Sequence, residues 1–193
     1  MSTETHPLQP FLPENARLLM LGSFPPPKAK WKMDFYYPNF QNDMWRIFGW
    51  VFFSEKDYFL TENRKSFDKE RIIRFLSEKG IAVCDTAVEV HRIKGNASDN
   101  FLEIITPIDL KKILSEIPRC NAIVTTGQKA SETVRSFFPE TTLTPRIGSF
   151  TEVDFHDKTY KFYRMPSSSR AYPKPLAEKA EMYKQFFNEL GFL

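Results

Sequence analysis

Residues 17–27 read RLLMLGSFPPP, an apolar run broken by Gly22 and then by three prolines. The run is short and does not alternate, which is the pattern of a strand buried on both faces of a sheet. Pro25, Pro26 and Pro27 permit neither helix nor ladder pairing, so the chain is expected to leave the sheet in an extended loop reaching to about residue 41. Two further runs repeat the form: IAVC at 81–84, closed by Asp85, and AIVTT at 122–126, closed by Gly127. Residues 149–155 and 159–165 alternate and suggest a hairpin turning at 156–158.

Helical patterns fill the intervals. One starts near Asn42–Asp43 and continues through Trp45, Phe48 and Phe52. A second, at 68–79, places Ile72, Ile73, Phe75 and Leu76 on one face and stops at Gly80. Others are expected at 108–117, 128–138 and 174–190, with residues 86–101 left as a polar loop. Strands alternating with helices predict an α/β fold. The expectation is a single domain over 1–193, three-layer α/β/α, with a central, mostly parallel four-stranded sheet and one antiparallel hairpin strand near the C-terminus. Residues 1–13, polar and punctuated by proline, are expected to be a loosely ordered extension.

Composition narrows the chemistry. With 193 residues, 41% hydrophobic and 26% charged, the chain suits a folded domain rather than a disordered one. No apolar run nears the roughly 20 residues of a membrane span, and no signal peptide precedes the first strand, so a cytoplasmic location is expected. The glycines, at 22, 49, 80, 95, 127, 148 and 191, are too far apart for a dinucleotide or Walker loop. Cys84 and Cys120 lie in apolar stretches and read as inert core thiols, and the histidines, at 6, 91 and 156, are scattered. No metal and no cofactor is expected, and a monomer is.

In a parallel sheet, ligands bind beyond the carboxyl ends of the strands. The loops there are basic, aromatic and rich in hydroxyls. The first holds Lys28, Lys30 and Lys32 among Trp31, Phe35, Tyr36, Tyr37 and Phe40; the second holds His91, Arg92 and Lys94; the third holds Gly127, Gln128 and Lys129; the last reads MPSSSRAYPK. Cations neutralise phosphates, hydroxyls hold a backbone and aromatics stack on bases, so the combination points to nucleic acid. Net charge is only +3, which makes the clustering matter more than the total.

At these loops the chain resembles the uracil-DNA glycosylase superfamily, and is most similar to its hypoxanthine-DNA glycosylase-like branch. The residues that carry the resemblance are Gly22-Ser23-Phe24-Pro25, then Tyr36-Tyr37, then Asn42-Asp43-Met44-Trp45-Arg46, and finally Pro166-Ser167-Ser168-Ser169. A looser match runs from Cys84 to Val90, where several branches end a strand in Asn. Three positions depart from the pattern: Phe24 stands where other branches carry a water-activating Asp or Asn, Met165 where they carry His or Asn, and Asn39-Phe40-Gln41 where the branch has His-Pro-Arg.

The resemblance implies a monofunctional glycosylase that hydrolyses the N-glycosidic bond of a deaminated base, hypoxanthine or uracil, flipped out of damaged DNA in base excision repair. Asn42 would hold the attacking water, with Asp43 as a second carboxylate. Gly22, Ser23, Phe24, Tyr36, Tyr37 and Asp85 would bind the base. Pro25, Lys28, Lys30, Lys32, Arg92, Lys94, Gln128, Ser167, Ser168, Ser169 and Arg170 would contact DNA. Plainer roles compete at several of these positions. Asn42 or Asp43 could cap the helix that starts there, Phe24 could be core, Asp85 a turn residue, and the serines a cap for the last helix. A catalytically silent nucleic-acid-binding module and a hydrolase of free nucleosides are the alternative functions.

Overall fold

The computed structural model describes residues 3–93 and 99–193. Strands β1 (Thr3–Thr5) and β2 (Leu18–Gly22) come first. The proline loop then leads into helices α1 (Met44–Phe53) and α2 (Lys69–Lys79). Strands β3 (Ile81–Asp85), β4 (Ala87–Arg92) and β5 (Leu102–Pro107) precede α3 (Leu110–Glu116). The remaining elements are β6 (Ala122–Thr126), α4 (Gln128–Arg135), β7 (Ser149–Phe155), β8 (Lys158–Met165) and α5 (Leu176–Glu189).

The central sheet has the order β3-β2-β6-β8-β7. Its first four strands are parallel, and β7 joins antiparallel as the hairpin partner of β8. Successive residues of each strand face opposite layers. Leu18, Met20, Val83 and Val124 therefore pack with Trp45, Phe48, Phe75 and Phe187 of α1, α2 and α5. Leu19, Leu21, Ala82 and Ile123 pack with Ile113, Leu114 and Val134 of α3 and α4. Burial on both sides explains why these strands are continuous apolar runs, and the three-layer α/β expectation holds.

Helix ends follow local chemistry. The Asp68 side chain accepts from the Arg71 amide at 3.0 Å and starts α2, while Gly80, at φ 70°, ends it in a left-handed turn. No helix among the described residues is long and apolar enough to cross a membrane.

Two expectations are corrected. Residues 87–92, expected within a polar loop, form an antiparallel pair with residues 102–107, for which no element is expected. Register shifts between Ala87 and Val90 interrupt the two-residue alternation that would have marked the first of these strands. The N-terminal segment is also not loose. Thr3–Thr5 pairs with β4 to give a second sheet, β1-β4-β5. Phe11 then exchanges both backbone hydrogen bonds with Val83 at 2.9 Å, covering the open edge of β3.

Candidate active site

The carboxyl ends of β2, β3, β6 and β8 open on one side of the central sheet, and the loops leaving them touch in sequence. Gly22, at the end of β2, lies directly beneath Asp85 at the end of β3. A Cβ built on Gly22 would fall 2.3 Å from Asp85 Oδ1 and 3.4 Å from the Tyr37 hydroxyl. Only glycine permits that approach. Tyr37 in turn shares a 3.1 Å hydrogen bond with Thr126 Oγ1 at the end of β6. Gly127, at φ 103°, faces Ser167 beyond β8, with 3.6 Å between a built Cβ and the serine Cβ.

Tyr37 itself adopts a left-handed φ of 51°, uncommon for an aromatic residue. The Thr126 bond and an edge contact with Trp45 hold it there. Trp45 donates its indole N–H to the Tyr36 carbonyl at 3.0 Å, so α1 fixes both tyrosines. Burial, with the Asp85 carboxylate nearby, pushes both phenols above the ordinary tyrosine range.

The serine loop is stitched to the start of α1. Asn42 bridges Ser169, the Asp43 amide donates to the Ser168 carbonyl at 2.8 Å, and the Arg170 amide donates to the Gln41 carbonyl at 2.8 Å. Asn42 Oδ1 accepts from the Met44 amide at 3.0 Å, which fixes the plane of the carboxamide. This local turn, one residue ahead of the N-cap position at Asp43, orients the Asn42 side chain. Ser167 Oγ accepts from the Ser169 amide and Ser169 Oγ from the Ala171 amide, both at 3.2 Å, giving the loop a rigid turn.

Several expected roles move. Asp43 makes no side-chain cap and is not a free carboxylate. Its Oδ1 accepts from Arg170 Nε at 2.8 Å, and its Oδ2 lies 3.7 Å from the ammonium of Lys179, whose side chain is 1% exposed. Arg46 completes the cluster at 3.9 Å. Arg92 does not face outward: its side chain is 5% exposed, grips Glu4 with two bonds of 2.9 and 3.1 Å, and donates to the Pro25 carbonyl. Arg92, buried Pro25 and buried Ser168 therefore leave the DNA-contact set. Phe24 packs its ring on the Ala87, Val90 and Leu102 cluster, within 5.8 Å of the Arg92 guanidinium.

Lys28 is held by Asp34 and stacks over Trp31, whereas Lys30 and Lys32 are exposed. Gln128 is exposed and donates to Glu132, and Arg170 keeps 44% of its side chain in solvent. Lys94 lies outside the described residues. The two thiols are buried, and burial pushes each up to about 12, in keeping with inert core groups.

Sequence reasoning missed two ionisable groups here. His6 Nε2 lies 2.9 Å from Asp85 Oδ2. Asp99, half-buried, accepts from Ser23 Oγ at 2.8 Å, and burial, with Asp85 nearby, raises its carboxyl above the usual range against the pull of that bond, Lys129 and Arg92. Neither pairing is visible in sequence, since the partners stand 79 and 76 residues apart.

A mostly parallel sheet between two layers of helices, with these loops at its carboxyl end, defines a three-layer α/β fold. The chain is similar to the solution NMR structure from Methanosarcina acetivorans described as a "putative Uracil DNA glycosylase", with a TM-score of 0.61, 21% identity, and coverage of 95% of this chain and 98% of that one. No family model matches the sequence, and no curated protein matches it.

Proposed function

We propose that the protein is a monofunctional DNA N-glycosylase acting on a deaminated base flipped out of the duplex. One observation carries the reading: five sequence-distant segments meet in an unbroken chain of contacts at one end of the sheet. The chain runs from Asp99 through Ser23 to Gly22, against which Asp85 and Tyr37 both lie, then from Tyr37 through Thr126 and Gly127 to Ser167, Ser169 and finally Asn42. The carboxyl groups of Asp85 and Asp99 lie in its floor, and Lys30, Lys32 and Arg170 are exposed on the loops that supply it. Such exposed cations suit a polyanionic backbone, and the floor suits a base and a developing cation.

In this reading the C1′–N bond breaks as a water oxygen bonds to C1′. The bond electrons leave on the base, and a proton from the water ends on the base or in solvent. Asn42 Oδ1 keeps a second lone pair after accepting from Met44, and orients the water through it. Being neutral, Asn42 positions rather than deprotonates, so the oxocarbenium-like sugar carries most of the reaction. Asp85, when ionised, only accepts hydrogen bonds. It therefore suits the ring N–H that deamination creates in hypoxanthine and uracil, where adenine and cytosine present a lone pair. Tyr36 and Tyr37 wall the pocket, and Ser167, Ser169 and Arg170 hold the backbone beside the flipped nucleotide.

The test is a single-turnover assay on duplex oligonucleotides, each carrying one hypoxanthine, uracil, xanthine or mismatched base. Base release is expected from at least one deaminated substrate, with Asn42→Ala reducing the rate by about 100-fold while lesion-DNA affinity persists. Salt-sensitive DNA binding without release from any substrate would instead identify a silent binding module. Absence of DNA binding at moderate salt would point to a hydrolase of free nucleosides.

A further inference from the structure

Three of the side chains expected around a base, Phe24, Tyr36 and Asp85, all contact one residue that sequence alone does not single out. His6 follows β1, and its amide donates to the Val88 carbonyl at 2.7 Å, so the sheet β1-β4-β5 delivers it to the site. Its ring stacks 5.9 Å from Tyr36, meets Phe24 edge-on at 5.1 Å, and bonds Asp85 Oδ2 at 2.9 Å. The two side chains are buried, at 7% and 8% exposure.

On its other side, His6 Nδ1 lies 2.9 Å from the Leu8 carbonyl and 3.1 Å from the Leu8 amide. One Leu8 group accepts and the other donates. The imidazole is satisfied whether Nδ1 carries a proton or not, and in both states Nε2 can donate to Asp85. Asp85 is thereby held from two directions. Oδ2 is pinned by His6, and Oδ1 sits over Gly22 where no Cβ can stand.

We propose that His6, which follows the N-terminal strand, is the positioning residue that holds the Asp85 carboxyl group in place as an acceptor for a ring N–H of the base. The inference rests on the glycosylase reading and on Asp85 as its base reader. Glu4 and Arg92 anchor the strand that leads into His6, so the N-terminal segment is a working part of the pocket. The groups facing the pair are Tyr36 and Tyr37 from the proline loop, Cys84 beside Asp85, and Asp99; Arg92, beyond Phe24, is already matched by Glu4.

The experiment measures single-turnover base release for the full chain and two variants. His6→Ala is expected to lose about 10-fold or more in rate while affinity for lesion-free DNA is kept. His6→Gln, which can still donate to Asp85, is expected to recover most of that rate. A wild-type rate in both variants, or no recovery in His6→Gln, would overturn the proposal, and so would faster release, which would make His6 a plug. If the wild-type chain releases no base, the glycosylase reading fails by itself. The pairing is then decided by the imidazole nitrogen resonances of the full chain in NMR: His6 resonances that shift in Asp85→Asn uphold the contact, and unshifted ones overturn it.

Discussion

Replacing Asp43 by Asn tests whether the cluster beneath the serine loop is held by charge. Asp43 is the carboxylate that faces Lys179, at 3.7 Å, and that ammonium, on a side chain 1% exposed, also donates to the Ser169 carbonyl at 2.7 Å. At an effective dielectric of about 20, unit charges that far apart attract by roughly 4 kcal/mol. Losing one member of a buried pair while the other stays charged costs about 3–5 kcal/mol. Asn keeps an acceptor for Arg170, so Asp43→Asn is expected near the lower end, about 3 kcal/mol. For a chain of this length that lowers the melting temperature by roughly 6–12 °C.

The sign of the pH dependence gives a second check on Asp43→Asn. Burial lowers the Lys179 ammonium below the usual lysine range, and Asp43 pulls it back up. Without Asp43 the folded state binds its proton less tightly than the unfolded chain does, so stability rises as pH approaches the lysine range. The deficit of Asp43→Asn should shrink as pH rises toward the lysine range and Lys179 sheds its proton. Adding Lys179→Met should recover most of the loss, because no unpaired charge remains. Calorimetric melts of the four proteins measure all three effects. A single variant that melts with wild type, or a double variant whose losses simply add, would refute the charge argument.

Two further outcomes follow from the floor of the site. Gly22→Ala places a Cβ where Asp85 Oδ1 now lies, 2.3 Å away, so Asp85 must swing off His6; base release should fall by about 100-fold with affinity for lesion-free DNA unchanged. Burial first, and the Asp85 charge after it, raise the carboxyl of Asp99, so the stability it adds below its folded pKa is lost as pH rises through that value. Asp99→Asn, which still accepts from Ser23, should hold or raise the melting temperature at neutral pH and flatten its fall from acid to neutral; a lower neutral value would contradict this.

The central sheet was legible because each parallel strand had to be apolar throughout, and the helix ends because Asp68 and Gly80 act on their own neighbours. The convergence of the loops followed from the direction of the strands. The second sheet was not legible, since its alternation is broken by the register shifts in β4 and Ile105 points outward. The roles of charged residues were the least legible part. Asp43, Arg92, Lys179 and His6 take their chemistry from partners 79 to 136 residues away in the chain, counted from the residue numbers. A lysine within an amphipathic helix looks like solvated surface until Asp43 is found beneath it.

Phe24 and Asp99 answer one electrostatic problem together. A carboxylate at position 24, as other branches of the resembled superfamily have it, would stand next to Ser23, which already donates to Asp99. Burial opposes the charge on Asp99, and the Asp85 field opposes it further; a third carboxylate would raise that cost again. The chain instead places an apolar ring at 24, packs it on the β4–β5 cluster, and brings the Asp99 carboxyl group to Ser23. The departure at Phe24 is thus accompanied by a carboxyl group that reaches Ser23 from a different segment of the chain.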